Sequence, residues 1–410
     1  MKVDGKRFMA GLAALAIAYV LSQFYRSFLA VLTPVLGSEL GATNTDLSLA
    51  SGAWFASFSA MQFVVGVCLD RYGPKRTAAV LLAIGGGGGA FLFAFATQPW
   101  MVITAMALIG VGCAPVLMAS VFIFAHTYST ARLAILTSWL VAFGSLGNVV
   151  GASPLATAAE AFGWRPVMMG LGVVTLLTAC AIMVFLRDPH RDASFAAGAG
   201  FSGYLELFKL KVLWALFPLT AINYAAAAGI RGLWAGPYLS DVYGADALMI
   251  GQVTLFMALA MVAGGFIYGP LDTIFRTRKW VAIVGNSLSL AVLVYLALNP
   301  VTSIAQTTII FVLIGVTGAA YGLLMAHGRA FLPAHLTGRG VTLLNFFSIG
   351  GVGVMQFATG PIVSANAVTG QPESGYAALF AFYAAMLAIS LFIYLFVRDA
   401  KPERAKLATA

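Results

Sequence analysis

The sequence predicts an all-α integral membrane protein of twelve transmembrane helices, built as two pseudo-symmetric six-helix bundles. Three observations carry that prediction. Of the 410 residues, 61% are hydrophobic and 9% are charged, with a mean hydropathy of +0.93. A water-soluble core cannot hide that much apolar surface, so lipid must be the solvent for most of it. The second observation is the number of apolar stretches long enough to cross a bilayer, which needs roughly 20 residues per helix. The third is an echo between the halves at an offset of about 203 residues.

The spans fall near 8–34, 47–69, 77–97, 100–124, 133–157, 166–186, 212–239, 248–270, 280–298, 303–326, 341–363 and 375–397. Lys2, Lys6 and Arg7 precede the first, which is too long for the apolar region of a cleaved signal and reads as a helix. Lys and Arg concentrate in cytoplasmic loops. With both termini inside, 20 of the 23 basic residues fall on that side. Only Arg165 falls outside, and Arg26 and Arg231 fall within helices. The net charge of +9 is thus spread over short loops rather than one face, so membrane topology explains it and nucleic acid does not.

Arg187 to Lys211 is the one long polar break, and it divides the chain into 1–186, a cytoplasmic linker 187–211, and 212–410. Across it Pro34 matches Pro237, Gly41 matches Gly244, Asp70 matches Asp272, and Lys75-Arg76 matches Arg278-Lys279. Tandem bundles of this kind face each other across a cavity at mid-membrane and alternate its access by rocking.

Between the second and third spans the chain reads Gly66-Val-Cys-Leu-Asp70-Arg71-Tyr-Gly73-Pro-Lys75-Arg76. This resembles the signature loop of the major facilitator superfamily. The resemblance covers the whole chain and implies that family's fold, a transport function and a gating role for Asp70, Arg71, Gly73 and Arg76. The equivalent loop, Asp272 to Lys279, is degenerate, since Thr273 stands where the signature has Arg. Gly163-Trp164-Arg165 is similar to the family's short outer turn.

All fourteen acidic residues lie in loops or at helix ends, whereas Arg26 and Arg231 lie inside helices. A charge at that depth costs at least about 2.5–3.5 kcal/mol and so faces a watery cavity or a counter-ion. Two cations without an acidic partner attract an anion, and the guanidinium fork fits carboxylate or phosphate. Helical spacing places Tyr19 and Gln23 on the face of Arg26, and Asn223 and Trp234 on that of Arg231. Arg26 followed eight residues later by Pro34 resembles the first helix of the organophosphate:phosphate exchangers within the superfamily. Arg231 and Pro237 are similar to their seventh helix, with an interval of six instead of eight. That shorter interval places Arg231 nearer the outer mouth.

Trp54, Trp139, Asn345 and Gln356 are further candidates for the cavity wall, with Tyr321 beside them. Met257 and Met261 form an M-x-x-x-M pair that supports an alternative reading as a soft-metal (copper) importer, with Met325 and His327 nearby. An exporter of hydrophobic compounds is the other alternative. The glycine run Gly85 to Gly89 lacks the Lys-Ser/Thr of a phosphate loop and reads as a close helix contact. Cys68, Cys113 and Cys180 show no CxxC spacing, and His126, His190, His327 and His335 form no catalytic or metal cluster. Neither enzyme chemistry nor a cofactor is expected. The expectation is a monomeric secondary transporter in the bacterial inner membrane, moving a small organic anion between Arg26 and Arg231.

Overall fold

A computed structural model describes residues 5–188, 202–333 and 336–400. Most of the linker, His190, His335 and the basic residues Lys2, Lys401, Arg404 and Lys406 lie outside the described residues. Among the described residues all named elements are helices; eleven are long and apolar enough to cross a membrane, and one bent pair brings the candidate spans to twelve.

The first span is α1 (Arg7–Tyr25) continued by the shorter α2 (Leu29–Leu40). Then come α3 (Asn44–Tyr72), α4 (Pro74–Ala94) and α5 (Pro99–Thr127), followed by a span bent by 41° into α6 (Ile135–Val150) and α7 (Ser153–Phe162). Next are α8 (Trp164–Phe185), α9 (Lys211–Tyr243), α10 (Ala247–Phe275) and α11 (Lys279–Leu298). The last are α12 (Ile304–Arg329), α13 (Thr337–Asn366) and α14 (Glu373–Tyr394). Large apolar side chains such as Ile84, Phe392, Leu298 and Phe396 stand exposed around the bundle, where lipid covers them.

Local chemistry sets the breaks. Pro74 and Pro99 open α4 and α5 at positions where no backbone donor is needed. Thr43 and Asp46 form a reciprocal capping box at the start of α3. Gly41 and Gly244 end α2 and α9 in the same left-handed conformation, each at φ 65°, 203 residues apart. Within the first span the helix breaks at Arg26–Phe28. Pro34 has no N–H for the Ala30 carbonyl, and the Thr33 hydroxyl donates to it instead at 2.9 Å.

Two π-helical turns interrupt the bundle, Leu82–Gly87 in α4 and Ile230–Trp234 in α9. The first lies against α5, where a Cβ on Gly112 would overlap the backbone of Gly86. The glycine run is therefore a helix contact.

The first six spans meet the last six mainly at the face away from the termini. There α2 packs on the end of α9, with Gly236 seated against the Ala30 carbonyl and Thr33, and α7 packs on α10. Helices α3 and α13 lie side by side, joined by Thr45 to Ser364 at 3.0 Å, Gln356 Nε2 to Ser51 Oγ at 3.0 Å and Ser59 Oγ to the Phe346 carbonyl at 3.1 Å. On the terminus-bearing side, α6 packs within its own six spans, against α1 and α5. A central chamber lies between the two sets there.

Candidate functional site

The chamber has a volume of about 570 Å³, within the usual range for a small-molecule site of about 300–1,000 Å³. One wall is α1 and α6, with Gln23, Thr137, Ser138, Ser145 and Asn148. The facing wall is α9, α10 and α12, with Tyr224, Arg231, Met261, Phe266 and Tyr321. From Asn148 to Thr137 on α6, and from Ala258 to Phe266 on α10, it runs toward the terminus-bearing face.

Arg231 is only 2% exposed, sits in the π-helical turn, and makes no ion pair among the described residues. Its Nε is buried without an acceptor. Among the described lining residues there is no Asp or Glu. The sequence expectation placed this arginine near the outer mouth because of its short interval to Pro237. In the structure it lines the chamber wall, in the half of α9 nearer Tyr243.

Arg26 is held differently. Its guanidinium carbon lies 5.3 Å from the Trp54 ring centroid and 5.5 Å from that of Phe58, a cation–π seat beside the chamber. Its Nε also has no acceptor. Tyr224 interacts with both guanidinium groups and so stands between the two arginines, one from each set of six spans. Sequence reasoning missed Tyr224, although it lies seven residues before Arg231, nearly two helical turns.

The other candidates divide. Gln23 lines the chamber and donates to Tyr19 Oη at 3.3 Å, while its Oε1 has no partner. Tyr321 lines it too and donates to Asn345 at 2.7 Å, so Asn345 acts from behind. Asn223, expected on the Arg231 face, points away and donates to Asn286 at 2.7 Å inside the last six spans. Trp234 donates to Gln356 and Thr359, each at 3.0 Å, so Trp234 and Gln356 belong to the packed junction with Ser51. Trp139 is 75% exposed and is not a wall of the chamber. It shares α6 with Thr137 and Ser138, and an aromatic ring on the lipid side satisfies hydropathy as well as one facing inward.

Met257 and Met261 are also separated. Met257 is buried against Gly315, and only Met261 reaches the chamber. His327 is held by Tyr394 at 2.5 Å and by the Arg398 carbonyl at 3.0 Å. No common soft-ligand cage forms from these groups.

A second cleft of about 620 Å³ lies at the signature loop, lined by Arg71, Tyr72, Lys75, Arg76, Arg187 and Asp188. Gly73, at φ 87°, makes the turn between α3 and α4 that a side chain would strain. Asp188, at the end of α8, accepts the Lys75 N–H at 2.8 Å. The second half repeats the motif with Asp399, which accepts the N–H groups of Arg278 at 3.2 Å and Lys279 at 3.0 Å. In this degenerate loop Arg278 Nε pairs with Asp272 at 3.0 Å.

Comparison with known proteins agrees with this architecture. The family model of the Major Facilitator Superfamily matches residues 15–354. The chain belongs to that superfamily. That superfamily is one of transporters and not of enzymes. Among curated relatives, the probable sulfoacetate transporter SauU of Cupriavidus necator is 24% identical over 271 residues, 62% of this chain and 61% of the relative. The chain thus spans less than two thirds of that relative's length. The sialic acid transporter NanX of Escherichia coli is 22% identical over 84% of each chain, and the probable L-galactonate transporter of the same organism is 24% identical over 62% of this chain and 60% of its own. Among solved structures, an inward-facing, occupied bacterial homologue of the human lysosomal transporter Spinster superposes with TM-score 0.73 at 19% identity, covering 94% of this chain and 96% of that one. The superfamily fold therefore extends over the whole described bundle.

Proposed function

We propose that this chain is a secondary carrier for a small organic acid, a carboxylate or phosphate ester, which it moves across the bacterial inner membrane by alternating access. One observation carries the reading: a fully buried arginine with an unpaired Nε faces a chamber whose described walls hold no carboxylate. Such a site repels cations and has a high electrostatic preference for a compact anion. The names of the relatives point the same way, since sulfoacetate, galactonate and sialic acid are all acids.

In this mechanism the acid enters from the terminus-bearing side, and the distribution of Lys and Arg supports reading that side as cytoplasmic. Its oxygens take hydrogen bonds from Arg231 and the Tyr224 hydroxyl, while Arg26 adds positive field from its seat on Trp54. Neutralising both arginines lowers the cost of closing the chamber. The contacts at Gly236 and between Thr45 and Ser364 then part on the opposite face. With no Asp or Glu in the described wall to relay a proton, exchange of one acid for another is the least costly cycle electrically.

The test is counterflow in proteoliposomes with carboxylates, phosphate esters and copper. Anion counterflow that survives both Arg26→Gln and Arg231→Gln unchanged would sink this assignment.

A further inference from the structure

The chamber has a second pole. Besides the arginines, three of the side chains that line it each hold a buried oxygen without a hydrogen-bond partner among the described residues: Gln23 Oε1, Asn148 Oδ1 and Thr137 Oγ1. Gln23 is 8% exposed, and its only side-chain bond uses the other amide atom, to Tyr19. Asn148 lies at the same depth on the neighbouring helix, because Gly147 beside it brings α6 into contact with the backbone of Val20 and the Cβ of Gln23. Thr137 lies three turns nearer the terminus-bearing mouth.

Leaving a buried acceptor unmatched is costly, so acceptors at a binding site imply donors on the ligand. A carboxylate or phosphate head has only acceptors to offer, and these are used by Arg231 and Tyr224. The rest of the ligand must therefore carry O–H or N–H groups. An ammonium is excluded by the two nearby guanidinium charges, which nothing in the described wall offsets. Neutral donors remain, and hydroxyl groups are the simplest. Ala258, Met261, Val262 and Phe266 on α10 supply an apolar surface opposite, suited to the C–H face of such a chain or ring.

We infer that the site selects acids whose tails bear hydroxyl groups, with Gln23 and Asn148 reading those hydroxyls and Thr137 meeting them at the mouth. This rests on the organic-acid reading above and names the class of acid.

The experiment uses the purified full-length protein in proteoliposomes, with counterflow of labelled gluconate competed by gluconate, by hexanoate, which has the same carbon chain without hydroxyls, and by 6-aminohexanoate. Gluconate is expected to compete at least about tenfold better than hexanoate, the size of effect that unmatched buried acceptors produce. Asn148→Leu and Gln23→Met are expected to narrow that ratio to within about threefold, whereas Asn148→Ser, which keeps an acceptor, retains most of it. Thermal melting of each purified variant shows whether it is folded, and the wild-type ratio stands as a test where one is not. Hexanoate competing as well as gluconate, 6-aminohexanoate competing better, or variants that leave the preference intact each overturn the inference. Counterflow of acids without a hydroxyl preference removes this inference alone, while absence of counterflow for every acid removes the organic-acid reading with it.

Discussion

The guanidinium of Arg26 lies over the ring of Trp54, 5.3 Å from its centroid, whereas Arg231 stands directly on the chamber wall. The two arginines are thus unequal. Arg231→Gln removes the donor that meets the ligand and is expected to lower the apparent affinity for the acid by about a hundredfold or more. Arg26→Gln removes charge acting from beside the chamber and is expected to cost about three- to tenfold. Concentration dependence of counterflow in the two variants measures the difference. Equal losses would place both guanidiniums on the ligand.

Tyr224 tests the same geometry from the other side. Tyr224→Phe keeps the ring, which lies 6.1 Å from that of Tyr321, and deletes the hydroxyl between the arginines. An apparent affinity about tenfold weaker, with an unchanged melting temperature, is the expected result. A large fall in melting temperature with unchanged affinity would make Tyr224 a packing residue instead.

Much of the bundle was legible because a bilayer imposes one length on every span and sorts basic loops to one side. The arginines were legible for a related reason: a charge inside a helix needs a cause. Hydropathy could not say which way Trp139 points, since lipid and protein interior are both apolar. It also could not separate Asn223, which bonds Asn286, from Tyr224 one residue later. Only the offset of seven from Tyr224 to Arg231 carried that signal. Likewise Arg187-Asp188 and Arg398-Asp399 repeat at the ends of the two halves, but the repeat gains meaning only when the carboxylates are seen to accept N–H groups at the starts of α4 and α11, earlier in each half.

Asp399 makes that second junction dependent on pH. Burial raises its carboxyl, but the Thr277 hydroxyl at 2.6 Å and the N–H groups of Lys279 and Arg278 outweigh burial and hold it below its ordinary value. A carboxyl depressed on folding stabilises the protein fully above its unfolded pKa, about 3.9, and loses that contribution as pH falls through the lower folded value. The melting temperature of the detergent-solubilised protein is therefore expected to drop below about pH 4 by more in the wild type than in Asp399→Asn. At neutral pH the variant should melt a few degrees lower. Parallel pH curves for the two proteins would remove Asp399 from this role.

The contact between Thr45 on α3 and Ser364 on α13 gives the most direct test of rocking. Their hydroxyl oxygens are 3.0 Å apart at the face away from the termini, and they belong to opposite sets of six spans. Two cysteines there approach the separation that a disulfide bridges. Thr45→Cys/Ser364→Cys is expected to cross-link under mild oxidant and to stop counterflow, with activity restored by reductant. Binding of the acid should survive the cross-link, because the chamber is reached from the terminus-bearing side in this conformation. Each single cysteine variant, treated with the same oxidant, controls for chemistry unrelated to the bridge. Full counterflow in the cross-linked protein would mean that the contact at α3 and α13 does not open during transport, and the alternating-access cycle drawn from this bundle would have to use a different gate.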